Sequence, residues 1–226
     1  MQTKKRDPEA TRNAILDAAE ALFLEQGFAE ASISEISKLA SVTKSLIHHH
    51  FGSKEELWTA VMRRFFGEYF EGQKAMLLAR EPSLELLRDS IITYFRYLQH
   101  KPNFARMNSW MTLVDDDSCR DMDGEIVALG VAKIKETQAR GLIREDISAD
   151  SILISFLSLV ENWFLGRRRF RHSHFSNWVQ EDKESPLFDE AYLNDMLRIF
   201  FEGVAPRSDG GSTKQSSAPS TEDPIP

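Results

Sequence analysis

Three helix starts crowd between Ser32 and Glu56, and that spacing limits what the chain can build. Ser32 with Glu35, and Ser53 with Glu56, are capping boxes, in which hydroxyl and carboxylate each satisfy a backbone N–H left free at a helix start. Thr43 between them is a third cap. Helices opened so close together must be short. The first has Ile33, Ile36, Leu39 and Ala40 as its apolar side, Ser41 and Val42 form a tight turn, and the second runs from Lys44 to His50.

The flanking segments repeat the helical period. Asp7 and Pro8 cap a first helix whose Ala14, Ile15, Ala18, Ala19, Leu22 and Phe23 share a face until Gly27, and a long helix runs from Lys54 towards Arg80, stopped by Pro82. Five more are predicted over 83–100, 103–114, 122–140, 149–171 and 188–204. No segment alternates with period two, so the fold class is all-α: three N-terminal helices over 1–52, whose short pair and tight turn have the form of a helix-turn-helix, then a larger helical domain over 53–204. The stretch 205–226, rich in Gly, Ser and Pro, is expected to be a disordered tail. One cysteine, Cys119, excludes an intrachain disulfide framework and fits a reducing, cytoplasmic compartment. No run approaches the ~20 apolar residues of a spanning helix, so no membrane partner is expected. The best stretch is Ile152 to Val160.

Net charge is −7, which excludes a surface that binds nucleic acid everywhere. Yet 36–54 holds no Asp or Glu, while Lys38, Lys44, Lys54, His48, His49 and His50 fall inside it, and Lys4, Lys5 and Arg6 form a second basic cluster. The second short helix lies in this window, as a recognition helix in a major groove requires. Ile36, Ala40, Val42, Ile47 and Phe51 are expected to pack inward, leaving Lys44, Ser45, Leu46, His48 and His49 outward. An exposed Leu46 suits a thymine methyl. Lys54, at a helix N-terminus, suits a phosphate.

With those residues in place, residues 11–62 resemble the N-terminal domain of the TetR family of transcriptional regulators. The phrases ILDAAEALFLEQGF, ISEISKLASVTKS and FGSKEEL follow the family's order and spacing. The resemblance implies a DNA-binding domain on a dimeric, ligand-binding body, and usually repression of a palindromic operator relieved by a small molecule. By position it directs Ser32, Ser34, Thr43, Lys44, Ser45, Leu46, His48, His49, His50 and Lys54 at DNA. Ser41 stands where the family often has glycine, and His48 where it usually has tyrosine, an exchange that would make a phosphate contact pH-sensitive.

The 149–171 helix is apolar on most sides, relieved by Glu161 and a stripe of Ser151, Ser155, Ser158 and Asn162; the last helix carries Met196, Leu197, Phe200 and Phe201 around a thin polar line. Two such helices predict a symmetric four-helix homodimer interface, with the three serines and those four apolar residues in it, which is also how the family dimerises. A monomer with a thick core is the alternative. Tyr94, Phe104, Met107, Trp110, Met111 and Trp163, with Asn108 and Asn162 as polar handles, are candidates to line a pocket for an apolar or aromatic effector, against a reading as plain core.

Other constellations are weaker. Adjacent histidines diverge by about 100° on a helix and do not converge on a metal. Asp115, Asp116, Asp117, Asp121 and Asp123 miss calcium-loop spacing and read as a solvated loop. Arg167, Arg168, Arg169 and Arg171 suit either an anionic ligand or a helix C-terminus. No nucleophile–base pair, phosphate loop or metal signature appears, so no cofactor and no enzymatic activity are expected. An activator using the same DNA contacts, or a ligand-binding module without DNA, remains the alternative function.

Overall fold

A computed structural model describes residues 7–101, 103–113, 120–172 and 186–206, all helix, caps and short turns. The helices are α1 (Pro8–Glu30), α2 (Ile33–Leu39), α3 (Lys44–Phe51), α4 (Lys54–Ala79), α5 (Leu84–His100), α6 (Asn103–Leu113), α7 (Arg120–Ala139), α8 (Ala149–His172) and α9 (Pro186–Val204). The Lys4–Arg6 cluster, the run Asp115–Asp117, Cys119 and the tail beyond Pro206 lie outside the described residues, as do the side chains of Asp121, Asp123 and Arg171.

Local chemistry sets the boundaries. Asp7 accepts the Glu9 N–H at 3.0 Å and Pro8 opens α1. Both capping boxes close: Ser32 and Ser53 each accept the N–H three residues on, and Glu35 and Glu56 return to the cap N–H. Thr43 accepts the Leu46 N–H at 3.2 Å to start α3. Gly52 ends α3 at φ 77, and an added Cβ would fall 2.0 Å from a Glu56 carboxylate oxygen. Ser41 turns between α2 and α3 at φ 53, the left-handed conformation a glycine adopts at least cost.

Packing then joins the small N-terminal unit to the body. Ile15, Phe23, Ile36 and Ile47 are fully enclosed, and Trp58 of α4 stands edge-on to Phe23 at 4.9 Å. Arg64 of α4 forks to Asp17 at 2.7 Å and Glu20 at 2.6 Å on α1. In the body, α5, α8 and α9 surround an aromatic centre in which Trp163 stacks on Tyr192 at 4.1 Å, and α7 packs against α4 and α8. Asp189, 4% exposed, pins α9: it accepts from Trp163 Nε1 at 3.0 Å, Arg167 at 3.1 Å and Gln99 at 3.3 Å. Arg96 pairs with Glu190 beside it.

Several expectations change here. Leu39 lies 57% exposed, because the short α2 turns only Ile36 and Ser37 fully inward. Trp163 is core, its indole N–H bound to Asp189, and Arg167 is committed to that same carboxylate. Met196, Leu197 and Phe200, assigned by sequence to the dimer face, point into their own protomer at 3%, 3% and 7% exposure. They close the α8–α9 core, with Phe200 edge-on to Phe156. Finally, α8 over Ala149–Phe170 is by length and composition apolar enough to cross a membrane, a longer stretch than the Ile152–Val160 run expected from sequence. It also carries Glu161, hydrogen-bonded to Tyr94 of the body, and packs against α5, α7 and α9.

Candidate nucleic-acid interface and ligand cavity

The α3 surface is assembled by what α3 buries. Ile47 and Phe51 are buried as α3 packs on α2 and α4, and the Arg12 guanidinium of α1 stands over the Phe51 ring at 5.1 Å. That leaves Thr43, Lys44, Ser45, His48 and His49 exposed on one short, acid-free helix. Leu46, expected to be exposed, is half-buried, and His50 is half-buried between His49 and Phe51. His48 Nδ1 lies 2.7 Å from the Gly52 carbonyl. A carbonyl only accepts, so Nδ1 carries the proton and Nε2 is the nitrogen left to face outward.

The other assigned contacts sit at the edges. The Ser32 hydroxyl donates to Glu35 at 2.6 Å within the capping box, a bond that foremost holds the Glu35 carboxyl below the usual carboxylate range. Ser34 is half-buried one turn before Ser37, whose hydroxyl donates to the Ser34 carbonyl. Lys54 reaches back to α1: its ammonium donates to the Ala29 carbonyl at 3.1 Å and rests over the Phe28 ring at 4.5 Å. It therefore fastens the end of α1 to the start of α4.

A cavity of about 270 Å³ opens between α4, α5, α6, α7 and α8. Of the pocket candidates, Tyr94, Phe104 and Asn108 line it. Met107 and Met111 are buried core, Asn162 is exposed, Trp163 faces α9, and Trp110 lies across Gly27 of α1. Missed in the sequence were Tyr69, Gln73, Ser90 and Glu161. Glu161 had a signal: a lone acid amid the apolar residues of α8 is buried with partners or not at all.

Its carboxylate accepts the Tyr94 hydroxyl at 2.5 Å. Burial, outweighing that bond and one from Asn108, pushes the carboxyl above its ordinary value. Burial, aided by the nearby Glu161, likewise raises the Tyr69 phenol, so its hydroxyl stays protonated. The folded state thus holds the Glu161 proton to higher pH than the unfolded chain does. The charged carboxylate destabilises the fold above the folded-state value, and that penalty is absent below the unfolded one. Glu161→Gln is accordingly expected to raise the unfolding temperature by a few degrees at about pH 8, with the gain vanishing near pH 4. Thermal unfolding across that range checks it, and an equal gain at every pH contradicts it.

Helix α6 joins the two regions. On one side Phe104 and Asn108 line the cavity. On the other, Arg106 donates to the Glu25 carbonyl at 3.4 Å, and the Trp110 ring carbons lie 3.0–3.1 Å from where a Cβ on Gly27 would sit. Gly27 has φ 79 and ψ 175 and kinks the end of α1.

Comparison with known proteins agrees with this architecture. Residues 15–61 match the model of bacterial regulatory proteins of the tetR family, and residues 91–185 match the tetracyclin repressor-like C-terminal domain. The chain is 26% identical over 207 residues to the HTH-type transcriptional repressor NicS of Pseudomonas putida, covering 87% of this chain and 97% of that protein. It is 27% identical to the repressor BepR of Brucella suis, over 75% of this chain and 88% of that one. The solved structure of AibR with isovaleryl coenzyme A and operator DNA has the same fold, at TM-score 0.65 and 19% identity over 84% of this chain and 98% of that one. An exposed basic α3, a helical body with a cavity and both family models place the chain in the TetR family of helix-turn-helix, DNA-binding transcriptional regulators.

Proposed function

We propose that the protein is a cytoplasmic homodimeric repressor that sets α3 of each subunit into successive major grooves of a palindromic operator and is released when a small apolar or aromatic molecule fills the α4–α8 cavity. The observation carrying this reading is the double engagement of α6, whose Phe104 and Asn108 face the cavity while Arg106 and Trp110 grip α1. A ligand that displaces α6 moves the end of α1, and with it the separation of the two recognition helices. Half-sites lie about 34–36 Å apart on the duplex, so a shift of a few ångströms breaks the register. Release requires the ligand to prefer the displaced form, because equal affinity for both forms shifts nothing. Both relatives above are named repressors, which favours that sign, and the AibR structure pairs an acyl thioester with operator DNA in the same fold.

The dimer face we assign keeps the three serines expected by sequence and the half-buried Phe201, and leaves out the buried Met196, Leu197 and Phe200. Ser151, Ser155 and Ser158 are exposed on α8, and beside them Ile154 is 62%, Leu165 51% and, on α9, Ile199 68% exposed. Only 33% of the most apolar stretch of α8 is buried within the protomer. A second copy of the same face covers the remainder.

Titration of the purified protein against its own upstream DNA at several salt concentrations tests the function. A steep negative slope is expected, and no binding in dilute buffer overturns it. Lys44→Ala should weaken all sequences alike and lower that slope by about one ion, and Leu46→Ala should alter preference between sequences. Lys54→Ala should in addition lower the unfolding temperature, since its ammonium holds α1 to α4. Unchanged DNA binding in all three would refute the docking face.

A further inference from the structure

The cavity wall carries a chemical bias. Among its described lining residues Glu161 is the one charged side chain, and its hydrogen-bond partners, Tyr94 and Asn108, are neutral. No lysine, arginine or histidine is among the described lining residues. A half-buried carboxylate in an apolar cavity without a countercharge is costly to keep, and a cation brought in from outside lowers that cost. Burial already pushes this carboxyl above its ordinary range.

A second, independent observation lies in the same wall. Gln73 Oε1 and Ser90 Oγ, on side chains 4% and 9% exposed, find no hydrogen-bond partner among the described residues. The Gln73 amide, which also hydrogen-bonds with the Tyr69 phenol, is oriented because its Nε2 donates to the Ser90 carbonyl at 3.2 Å, and this leaves its oxygen as the unpaired acceptor. A serine inside a helix commonly bonds back to a carbonyl one turn earlier, and Ser90 does not. Ser90 lies one turn before Tyr94 on α5, and Gln73 one turn after Tyr69 on α4, with the two tyrosine rings 5.1 Å apart. The acceptor pair therefore belongs to the α4–α5 side of the cavity, whereas Glu161 belongs to α8. Aromatic faces of Tyr69 and Phe104 stand in the same wall.

Ligand classes can be weighed against this wall. An anion meets Glu161 with nothing to offset it. A pure hydrocarbon leaves Gln73 and Ser90 unpaired, at a desolvation cost that hydrogen bonding would have removed. An aromatic ammonium ion satisfies the carboxylate and gains from the surrounding rings, and a hydroxyl at its far end reaches the acceptor pair. We infer that the cavity is built for a small protonated amine with an aromatic body, its ammonium at Glu161 and a second donor at Gln73 and Ser90. This inference rests on reading the cavity as the effector site, and it replaces a merely apolar effector with a cationic one.

Calorimetric titration of the full-length protein at neutral pH with tyramine, phenethylamine, tyrosol and 4-hydroxyphenylacetate separates charge from shape. Tyramine is expected to bind roughly tenfold tighter than tyrosol, its neutral isostere, and tighter than phenethylamine, with the acid weakest. Glu161→Gln should cut tyramine affinity by about tenfold while leaving tyrosol within about threefold, and Gln73→Leu should erase the advantage of tyramine over phenethylamine. Thermal unfolding of each unliganded variant shows that it is folded. Best binding by the alcohol or the acid, an equal loss of all four ligands in Glu161→Gln, or no tyramine binding at millimolar concentration overturns the inference. Gel-shift titrations on the upstream DNA run in parallel. Tyramine binding without any change in DNA affinity overturns the effector role alone, whereas release by the acid without amine preference overturns the cationic ligand alone.

Discussion

Replacing Ile154 and Ile199 together by aspartate is expected to turn the protein into a monomer and to lower operator affinity at least ~100-fold, because a paired reader gains that factor from the high effective concentration of its second half. Both isoleucines are more than three-fifths exposed in the single chain, on the two helices whose apolar surface the protomer leaves uncovered. Each isoleucine that goes from exposed to buried on pairing contributes about 1.5–3 kcal/mol, and a buried, unpaired aspartate reverses the sign. In a symmetric interface each substitution occurs twice. Sedimentation should show the change in mass, and circular dichroism should show the helices intact, since neither residue supports the protomer core. Phe200→Ala makes the contrast. Its side chain closes the α8–α9 core at 7% exposure, so it should lower the unfolding temperature before it loosens the dimer. A double aspartate variant that still sediments as a dimer would refute the assigned face.

Sequence periodicity and capping residues specify what short-range bonds decide. Caps are local: Ser32, Thr43 and Ser53 announce their helices because the bonds they make span three residues, and α2, α3 and α4 begin where those residues predict. The acid-free window likewise marks α3 without any tertiary information. What failed was the assignment of faces on helices that are apolar nearly all round. On α9, Met196, Leu197 and Phe200 and their neighbour Ile199 look alike in sequence, and only the position of α8 decides which of them turns outward. The same ambiguity misplaced the pocket. Met107, Trp110 and Met111 share α6 with Phe104 and Asn108, but the cavity and α1 lie on different sides of that helix. The polar residues that give the cavity its character, Gln73, Ser90 and Glu161, come from three helices and make no local pattern.

Gly27→Ala is expected to destabilise the protein by about 3 kcal/mol and to uncouple DNA release from ligand. Two costs add. At φ 79 and ψ 175 the backbone occupies a region open essentially to glycine alone, where a side chain costs of order 1–3 kcal/mol. The new methyl would also meet three carbons of the Trp110 ring at 3.0–3.1 Å, and that ring is a rigid plane rather than the free end of a chain. For a chain of this size the unfolding temperature should fall by roughly 6–12 °C. The functional effect follows from the same contact, because Trp110, together with Arg106, joins α6 to the end of α1. A cycle with Trp110→Ala separates the two terms: truncating the indole relieves the methyl clash but leaves the dihedral strain, so the double variant should recover part of the loss and stand above the sum of the singles. Ligand binding to the cavity should survive in Gly27→Ala, since Phe104, Asn108 and Glu161 are untouched, while the change in DNA affinity on adding ligand shrinks. Strict additivity in stability, or a full ligand response in the single variant, would mean that the signal from the cavity reaches the recognition helices by a route other than α6 and Gly27.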